Sequence, residues 1–230
     1  IEYESNIPMR LGLGGSSAII TAALRALCQY YKVEIPLHWQ ADLVWKTETE
    51  ELGVPAGPQD RVVQVYEGLV YMDFSEQLML GRGYGHYERL DPSLLPHTYV
   101  AYWTRLSEGT EVFHSNVRER WRRGDPEVVE AMRTWAEYAE RGRQALLERD
   151  YRTLHELINL NFDLRAKIYR ISEGNLRMIE AARQAGASSN FAGSGGAIVG
   201  TYEDEETYKK LVEVMRPMGI AVIQPQILPE

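Results

Sequence analysis

The sequence predicts an α+β fold built of two layers and divided into two domains. Helix-like and strand-like segments mix in both halves without strict alternation, and the sequence contains no internal repeat. A length of 230 residues accommodates one or two domains. Three glycines and two prolines make residues 74–96 rich in turns, which places the predicted boundary near residue 90.

The first predicted domain covers residues 1–90. Apolar and polar residues alternate over residues 1–7, which predicts a strand. Further along, apolar residues recur at helical spacing, and Gly53 with Pro55 interrupts the pattern. The predicted helices cover residues 16–31, 37–52 and 58–66, and a predicted strand follows at 69–73.

The second predicted domain covers residues 91–230. It opens with an apolar run that predicts a strand at residues 98–103. Long helical patterns then occupy residues 111–122, 126–148, 150–170 and 174–185. The remaining predicted elements are a glycine-rich turn and β run at 187–200, a helix at 204–216 and a strand at 219–224.

Composition and charge narrow the classes of function. The net charge of −8 disfavours nucleic acid and anionic membrane surfaces as partners. The sequence contains no apolar run of the roughly 18 residues that a membrane span requires. The single cysteine, Cys28, cannot form an internal disulfide, so we expect a reducing, cytoplasmic location.

The most informative segment is a glycine-rich run at residues 8–18, with the sequence PMRLGLGGSSA. Its glycines let the backbone curve closely around a ligand, and its two serines open a predicted helix. Such a turn presents unpaired N–H groups and a positive dipole end to phosphate. It has neither the lysine of a Walker A loop nor the spacing of a dinucleotide fingerprint. A glycine-rich turn that only caps the helix with serine is the alternative.

Two acidic residues predict phosphoryl-transfer chemistry. Asp60 lies at the start of a predicted helix, where the dipole favours its ionised form. Glu48 lies near the end of the preceding helix, and the turn at 53–57 can fold it back toward Asp60. One carboxylate would hold Mg²⁺, and the other would orient an acceptor hydroxyl and take its proton. The alternative is an acidic helix end exposed to solvent.

Taken together, these segments resemble the GHMP kinases, the superfamily of galactokinase, homoserine kinase, mevalonate kinase and phosphomevalonate kinase. Residues 12–18 (GLGGSSA) are similar to the phosphate loop of that family, and residues 191–197 (FAGSGGA) to its C-terminal glycine motif. Within the superfamily the chain resembles the glucuronokinases. That finer resemblance rests on residues 57–61, 65–74, 93–96, 114–118, 159–165 and 193–196.

The resemblance implies a fold and an activity. The expected fold has a ribosomal-S5-like N-terminal domain and a ferredoxin-like C-terminal domain with extra helices. The expected activity is transfer of the γ-phosphoryl group of ATP, with Mg²⁺, to a sugar hydroxyl, with D-glucuronate giving glucuronate 1-phosphate as the leading reaction. The alternatives are a kinase for a heptose phosphate or galactose, and a non-catalytic member that binds nucleotide or sugar.

The resemblance also implies roles for individual residues. The catalytic pair would be Asp60 and Arg61, and the metal ligands Ser17 and Glu48, with Glu50 as the alternative to Glu48. The expected nucleotide-binding residues are Gly12, Leu13, Gly14, Gly15, Ser16, Ser17 and Ala18. The expected substrate-binding residues are Gly193, Ser194, Gly195, Gly196, Arg165 and His114. Arg61, Arg118 and Arg165 are the candidates to bind a uronate carboxylate, since guanidinium pairs bidentately with such groups.

Two departures from the family pattern affect these expectations. Asn190 and Ala192 stand where the C-terminal motif often carries lysine and threonine. The N-terminal segment of the family, with its first strands, has no counterpart within residues 1–230. We therefore expect that an upstream segment or a homodimer completes the active protein.

Overall fold

The computed structural model describes residues 2–8, 11–54, 56–104, 117–193 and 195–227. The chain divides into two compact units, one formed by Ile1–Pro92 with Ile227–Glu230 and the other by Ser93–Gln226. Helices and strands mix in both units, so the predicted α+β class is confirmed. No helix within the described ranges is long and apolar enough to cross a membrane.

The first unit packs helices against a two-stranded antiparallel ribbon. Its helices are α1 (Gly15–Tyr31), α2 (Leu37–Lys46), α3 (Gln59–Tyr66) and α4 (Glu76–Arg82), and its strands are β1 (Leu69–Asp73) and β2 (His86–Leu90). A π-helical turn, Thr47–Glu51, extends α2. Ala41 and Val44 of α2 pack with Val62 and Val65 of α3 to form the buried core. This core fixes the N-terminal end of α3, where Asp60 lies.

Two predictions for the first unit are wrong. Residues 2–8 form no strand and are mostly exposed, because no described strand pairs with their backbone groups. The stretch at 74–96 is not only turns, since it contains α4, β2 and the short 3₁₀ helix Pro92–Leu94. β2 forms because it pairs with β1 from Leu69↔Leu90 to Asp73↔His86, a contact that the local glycine and proline signals do not reveal.

The second unit is built on a four-stranded antiparallel sheet. Its strands are β3 (Thr98–Trp103), β4 (Asn190–Phe191), β5 (Ala197–Thr201) and β6 (Ile220–Ile223), in the order β4-β5-β3-β6. Its helices are α5 (Val117–Arg122), α6 (Pro126–Glu148), α7 (Tyr151–Ile168), α8 (Glu173–Gln184) and α9 (Glu205–Met215). The predicted helix at 111–122 is described only from residue 117 onward.

One face of this sheet forms the larger core of the protein. Tyr99 and Ala101 alternate on β3 and are fully buried, as the period of two in a strand requires. They pack with Met178 of α8 and with Leu211 of α9, which are also fully buried. This rigid framework holds the segment between β4 and β5, which carries the second glycine-rich turn.

Candidate active site

The N-terminus of α1 has the features of an anion site. Gly14 is its N-cap in the left-handed conformation, at φ 67°. Among the described residues no side chain caps this terminus, and the first turn contains no acidic residue. The first N–H groups of a helix lack carbonyl partners within it, so these amides remain available to phosphate. Ser17 is fully buried and donates from Oγ to the Gly14 carbonyl at 2.9 Å, whereas Ser16 is exposed.

Asp60 lies directly beside this loop. A Cβ atom at Gly14 would stand 3.7 Å from Cβ of Asp60 and 2.7 Å from Nε2 of Gln64. The second distance is shorter than real Cβ contacts, and the φ of Gly14 is one that L side chains rarely adopt. Glycine therefore allows the face of α3 that carries Asp60 to approach this loop closely.

The environment of Asp60 acts on its protonation. Burial raises the pKa of the Asp60 carboxyl, the neighbouring Arg61 guanidinium lowers it, and the negative charge of Glu48 raises it again, with a net upward direction. Its side chain is still 41% exposed, so a substrate can reach it. A carboxylate in this setting can accept a proton from a hydroxyl group held nearby.

Glu48 is turned inward by the π-helical turn. π-helical turns are rare and often occur at functional sites. Here the N–H of Leu52 donates to the carbonyl of Thr47 at 3.0 Å, and Glu48 becomes fully buried while Glu50 is exposed. The carbonyl of Glu48 also accepts from the N–H of Val54 at 2.8 Å, which folds the turn back toward α3.

Arg61 forms a buried ion pair with Glu48. Its Nε and Nη2 groups both donate to Oε2 of Glu48, and the two side chains are 8% and 0% exposed. Nη1 of Arg61 donates to the carbonyl of Gly57 at 2.9 Å and lies 3.5 Å from Oδ2 of Asp60. Arg61 thus joins Glu48, the preceding turn and Asp60 into one charged cluster.

The other oxygen of Glu48 is free to act as a ligand. Oε1 of Glu48 is buried and has no hydrogen-bond partner among the residues that the structure describes. Within the same ranges no group of three or more His, Cys, Asp or Glu side chains could hold a metal. Mg²⁺ typically uses only one or two carboxylates, with phosphate and water oxygens completing its octahedron. The orphaned oxygen of Glu48 and the hydroxyl of Ser17 are therefore each of the ligand type that a magnesium–phosphate site uses.

In the second unit the C-terminal glycine turn meets Arg165. Gly193, Gly195 and Gly196 all have positive φ, which gives the turn its tight path. Nη2 of Arg165 donates to the carbonyl of Gly193 at 2.9 Å, and its guanidinium lies over the ring of Phe191 at 5.0 Å. Burial lowers the pKa of Arg165, whose guanidinium nevertheless stays charged at neutral pH.

Three asparagines hold the flanks of this turn. Oδ1 of Asn159 accepts from the N–H of Ser189 at 3.0 Å, and Oδ1 of Asn161 accepts from the side chain of Asn190 at 2.9 Å. Oδ1 of Asn175 accepts from the N–H of Gly196 at 3.4 Å. The side-chain amide of Asn190 thus also helps to fix the turn.

The remaining predicted site residues are placed as follows. Gly12, Leu13 and Ala18 are half-buried around the phosphate loop, and Gly12 has a φ of 69°. Arg118 is exposed on α5. His114 and Ser194 lie outside the described residues.

Gln64 was not among the site residues predicted from the sequence. Nε2 of Gln64 donates to the carbonyl of Gly14 at 2.7 Å, which links α3 to the phosphate loop. The available signal was its position four residues after Asp60, on the same face of the predicted helix. That spacing alone does not reveal which loop the face contacts.

Comparison with known proteins defines the class of protein to which the chain belongs. The sequence profile of the GHMP kinases N terminal domain matches residues 1–68, and that of the GHMP kinases C terminal domain matches residues 143–220. The chain belongs to the GHMP kinase family.

Two individual relatives are similar to this chain over most of its length. The chain is 44% identical to Glucuronokinase 1 of Arabidopsis thaliana over 93% of its own length. It is 42% identical to Probable glucuronokinase 2 of the same plant over 100% of its length. It spans 60% and 64% of the length of these two relatives.

A solved structure shows the same fold. The crystal structure of Lactococcus lactis galactokinase complexed with galactose superposes with a TM-score of 0.71 at 18% identity, covering 97% of this chain and 68% of that one. The GHMP kinase fold expected from the sequence is thus confirmed.

Proposed function

We propose that this chain belongs to an ATP-dependent sugar kinase that converts D-glucuronate to glucuronate 1-phosphate. The observation that carries the proposal is the position of Asp60 beside the loop at Gly14. A general base and a phosphate site must lie this close for in-line transfer between two bound molecules. The identity to two glucuronokinases supports the choice of sugar.

The chain's own residues would bind, orient and accept a proton. The uncapped amides at the N-terminus of α1 would bind the phosphates of ATP. Asp60 would accept the proton of the sugar's anomeric hydroxyl as its oxygen attacks the γ-phosphorus and the bond to the β-phosphate oxygen breaks, with ADP leaving. Arg61 would hold Glu48 in place during this step.

Magnesium is the implied metal of this reaction. Oε1 of Glu48 and Oγ of Ser17 would hold it, and their unpaired lone pairs fit a hard cation. When bound, it neutralises charge on the phosphates and positions them. Glu50, which is exposed, is the weaker candidate.

The three candidate arginines differ in their availability for a uronate carboxylate. Arg61 already directs two groups to Glu48, so a substrate would have to displace that pair. Arg165 and Arg118 remain as the candidates to bind the carboxylate. The other sugars open to this class are galactose and a heptose phosphate.

A coupled assay of ADP release tests the proposal. The purified protein is given MgATP with glucuronate, galactose or a heptose phosphate, and the products are identified by mass. We expect kcat/KM to be highest for glucuronate. Preference for a different sugar would overturn the proposed substrate. Nucleotide binding without transfer to any sugar would overturn the proposed kinase activity and favour a protein that only binds nucleotide or sugar.

Alanine substitution of the two serines of the phosphate loop is expected to affect stability differently. Ser17→Ala removes the buried hydrogen bond to Gly14, so we expect it to cost about 1 kcal/mol of stability and to weaken MgATP binding. Ser16→Ala changes an exposed hydroxyl and should weaken nucleotide binding without lowering stability. Calorimetric titration with MgATP and thermal unfolding measure both. Equal stability of the two variants would contradict the buried role of Ser17.

A further inference from the structure

We infer that Gln64 is a positioning residue that sets the register between the phosphate loop and the helix carrying Asp60. The catalytic part of this inference rests on the proposed kinase function. The tie itself is the hydrogen bond from Nε2 of Gln64 to the carbonyl of Gly14, at 2.7 Å. Because a carbonyl cannot donate, this contact also fixes which end of the amide faces the loop.

The carbonyl of Gly14 does not need Gln64 in order to be satisfied. It also accepts from Oγ of Ser17 at 2.9 Å and from the N–H of Ala18 at 3.0 Å. Oε1 of Gln64, in turn, is buried and without a partner among the described residues. A buried unpaired acceptor opposes folding. An apolar side chain of the same length would serve stability as well, so the amide is better explained by the geometry that it imposes.

That geometry concerns Asp60. Asp60 and Gln64 are four residues apart on α3 and share one face of the helix. Both reach the same backbone position, since a Cβ at Gly14 would stand 3.7 Å from Cβ of Asp60 and 2.7 Å from Nε2 of Gln64. Gln64 therefore fixes how far Asp60 would lie from phosphates bound at this loop. A displacement of about 1 Å can lower a rate by about 10²-fold.

A second tie between the same helices provides a matched control. Nη2 of Arg25, on α1, donates to the carbonyls of Gln64 at 2.9 Å and Val65 at 3.3 Å. Nη1 of Arg25 pairs with Glu67 at 2.7 Å. These contacts join α1 to the C-terminal half of α3 through backbone carbonyls and leave the side-chain amide of Gln64 untouched. Arg25 thus contributes to helix packing without touching Gly14.

The test compares Gln64→Met with Arg25→Met in the complete protein. We expect Gln64→Met to lower kcat for the sugar about 10- to 100-fold, with KM for MgATP changed much less and the thermal midpoint kept within about 3 °C. Arg25→Met should lower the thermal midpoint and leave kcat near that of the wild type. Unchanged kcat in Gln64→Met, or equal losses of kcat in both variants, would overturn the inference.

Two measurements test the structural role of the hydrogen bond from Gln64 to Gly14 and require no enzymatic activity. Hydrogen exchange of the amides at residues 14–18 should accelerate in Gln64→Met and not in Arg25→Met. In thermal unfolding, Gly14→Ala should be less destabilising in a Gln64→Ala background, because the 2.7 Å clash is then removed. Unaltered hydrogen exchange, together with additive changes of the thermal midpoint in the Gly14 and Gln64 variants, would refute the structural role of the hydrogen bond between these two residues. If the wild type transfers no phosphate, the kinase proposal fails. The two measurements still test whether Gln64 sets the register between the phosphate loop and α3.

Discussion

Replacing Asp60 with asparagine is expected to lower kcat by about 10²- to 10⁴-fold, the usual contribution of a general base. Asparagine keeps the size of the side chain but cannot accept the proton of the sugar hydroxyl. The amides of the phosphate loop are unchanged, so the affinity for MgATP should persist. Steady-state kinetics with titration of MgATP measures both quantities. Turnover within threefold of the wild type would remove Asp60 from the mechanism.

A matched carboxylate in the same unit serves as the control. Asp42 of α2, whose side chain is 10% exposed, pairs with Lys46 at 2.8 Å rather than with a residue of the phosphate loop. Asp42→Asn removes one charge, as Asp60→Asn does, and should leave kcat near that of the wild type. A similar loss in both variants would indicate a general effect of charge on the first unit.

Asp60→Asn should also reveal how the site acts on stability. The pKa of folded Asp60 is raised above its ordinary value, chiefly by burial. The folded state therefore binds the proton more readily than the unfolded state, and stability falls as pH rises from the ordinary pKa through the raised one. Above that window the ionised carboxylate opposes folding. The thermal midpoint of Asp60→Asn at neutral pH should therefore equal or exceed that of the wild type.

The same shift predicts the acidic limb of the pH profile. Asp60 must be ionised to accept a proton, so kcat/KM should rise with pH through the raised pKa of this carboxyl. The limb should lie above the value of about 3.9 that an ordinary aspartate would give. A profile that stays flat down to the ordinary pKa would contradict the role of Asp60 as base.

Local patterns were sufficient to predict most elements of the fold. α1, α3 and α9 were predicted nearly to their ends because their apolar residues recur at helical spacing and glycine or proline marks their limits. The strand predicted at residues 1–7 does not form over the described residues 2–7, and β2 was missed, since strand formation depends on pairing with distant residues. A period of two in the sequence does not identify the partner.

In the candidate site, too, some features follow from local sequence and others depend on tertiary packing. The sequence was sufficient to propose the phosphate loop, because its residues are consecutive, and the pair Glu48 and Asp60, because the turn between them is short. The partners of Arg61 and Gln64 could not be predicted. Arg61 was expected to act with Asp60 or to bind a uronate carboxylate, but the π-helical turn also brings Glu48 to it. Such pairings follow from tertiary packing and leave no local signal.

Replacing Arg61 with methionine is expected to destabilise the protein by about 3–5 kcal/mol, because it leaves the charge of Glu48 buried and uncompensated. It also removes the donor to the carbonyl of Gly57. Denaturant unfolding measures the loss. The double variant Glu48→Gln with Arg61→Met removes both charges and should recover part of that stability. Strict additivity of the two single variants would show that the pair is not coupled.

The response of the thermal midpoint to Mg²⁺ distinguishes two roles of Glu48. Glu48 is either a partner in a purely structural ion pair or a metal ligand that Arg61 holds in place. If Glu48 binds the cation, Mg²⁺ replaces the missing guanidinium charge in Arg61→Met and stabilises the folded state by linkage. The thermal midpoint of Arg61→Met should therefore rise with added Mg²⁺ more than that of the wild type. In the double variant, which lacks the carboxylate, the rise should vanish. An equal response of Arg61→Met and the double variant would exclude Glu48 as the metal ligand, whatever the fate of the kinase activity.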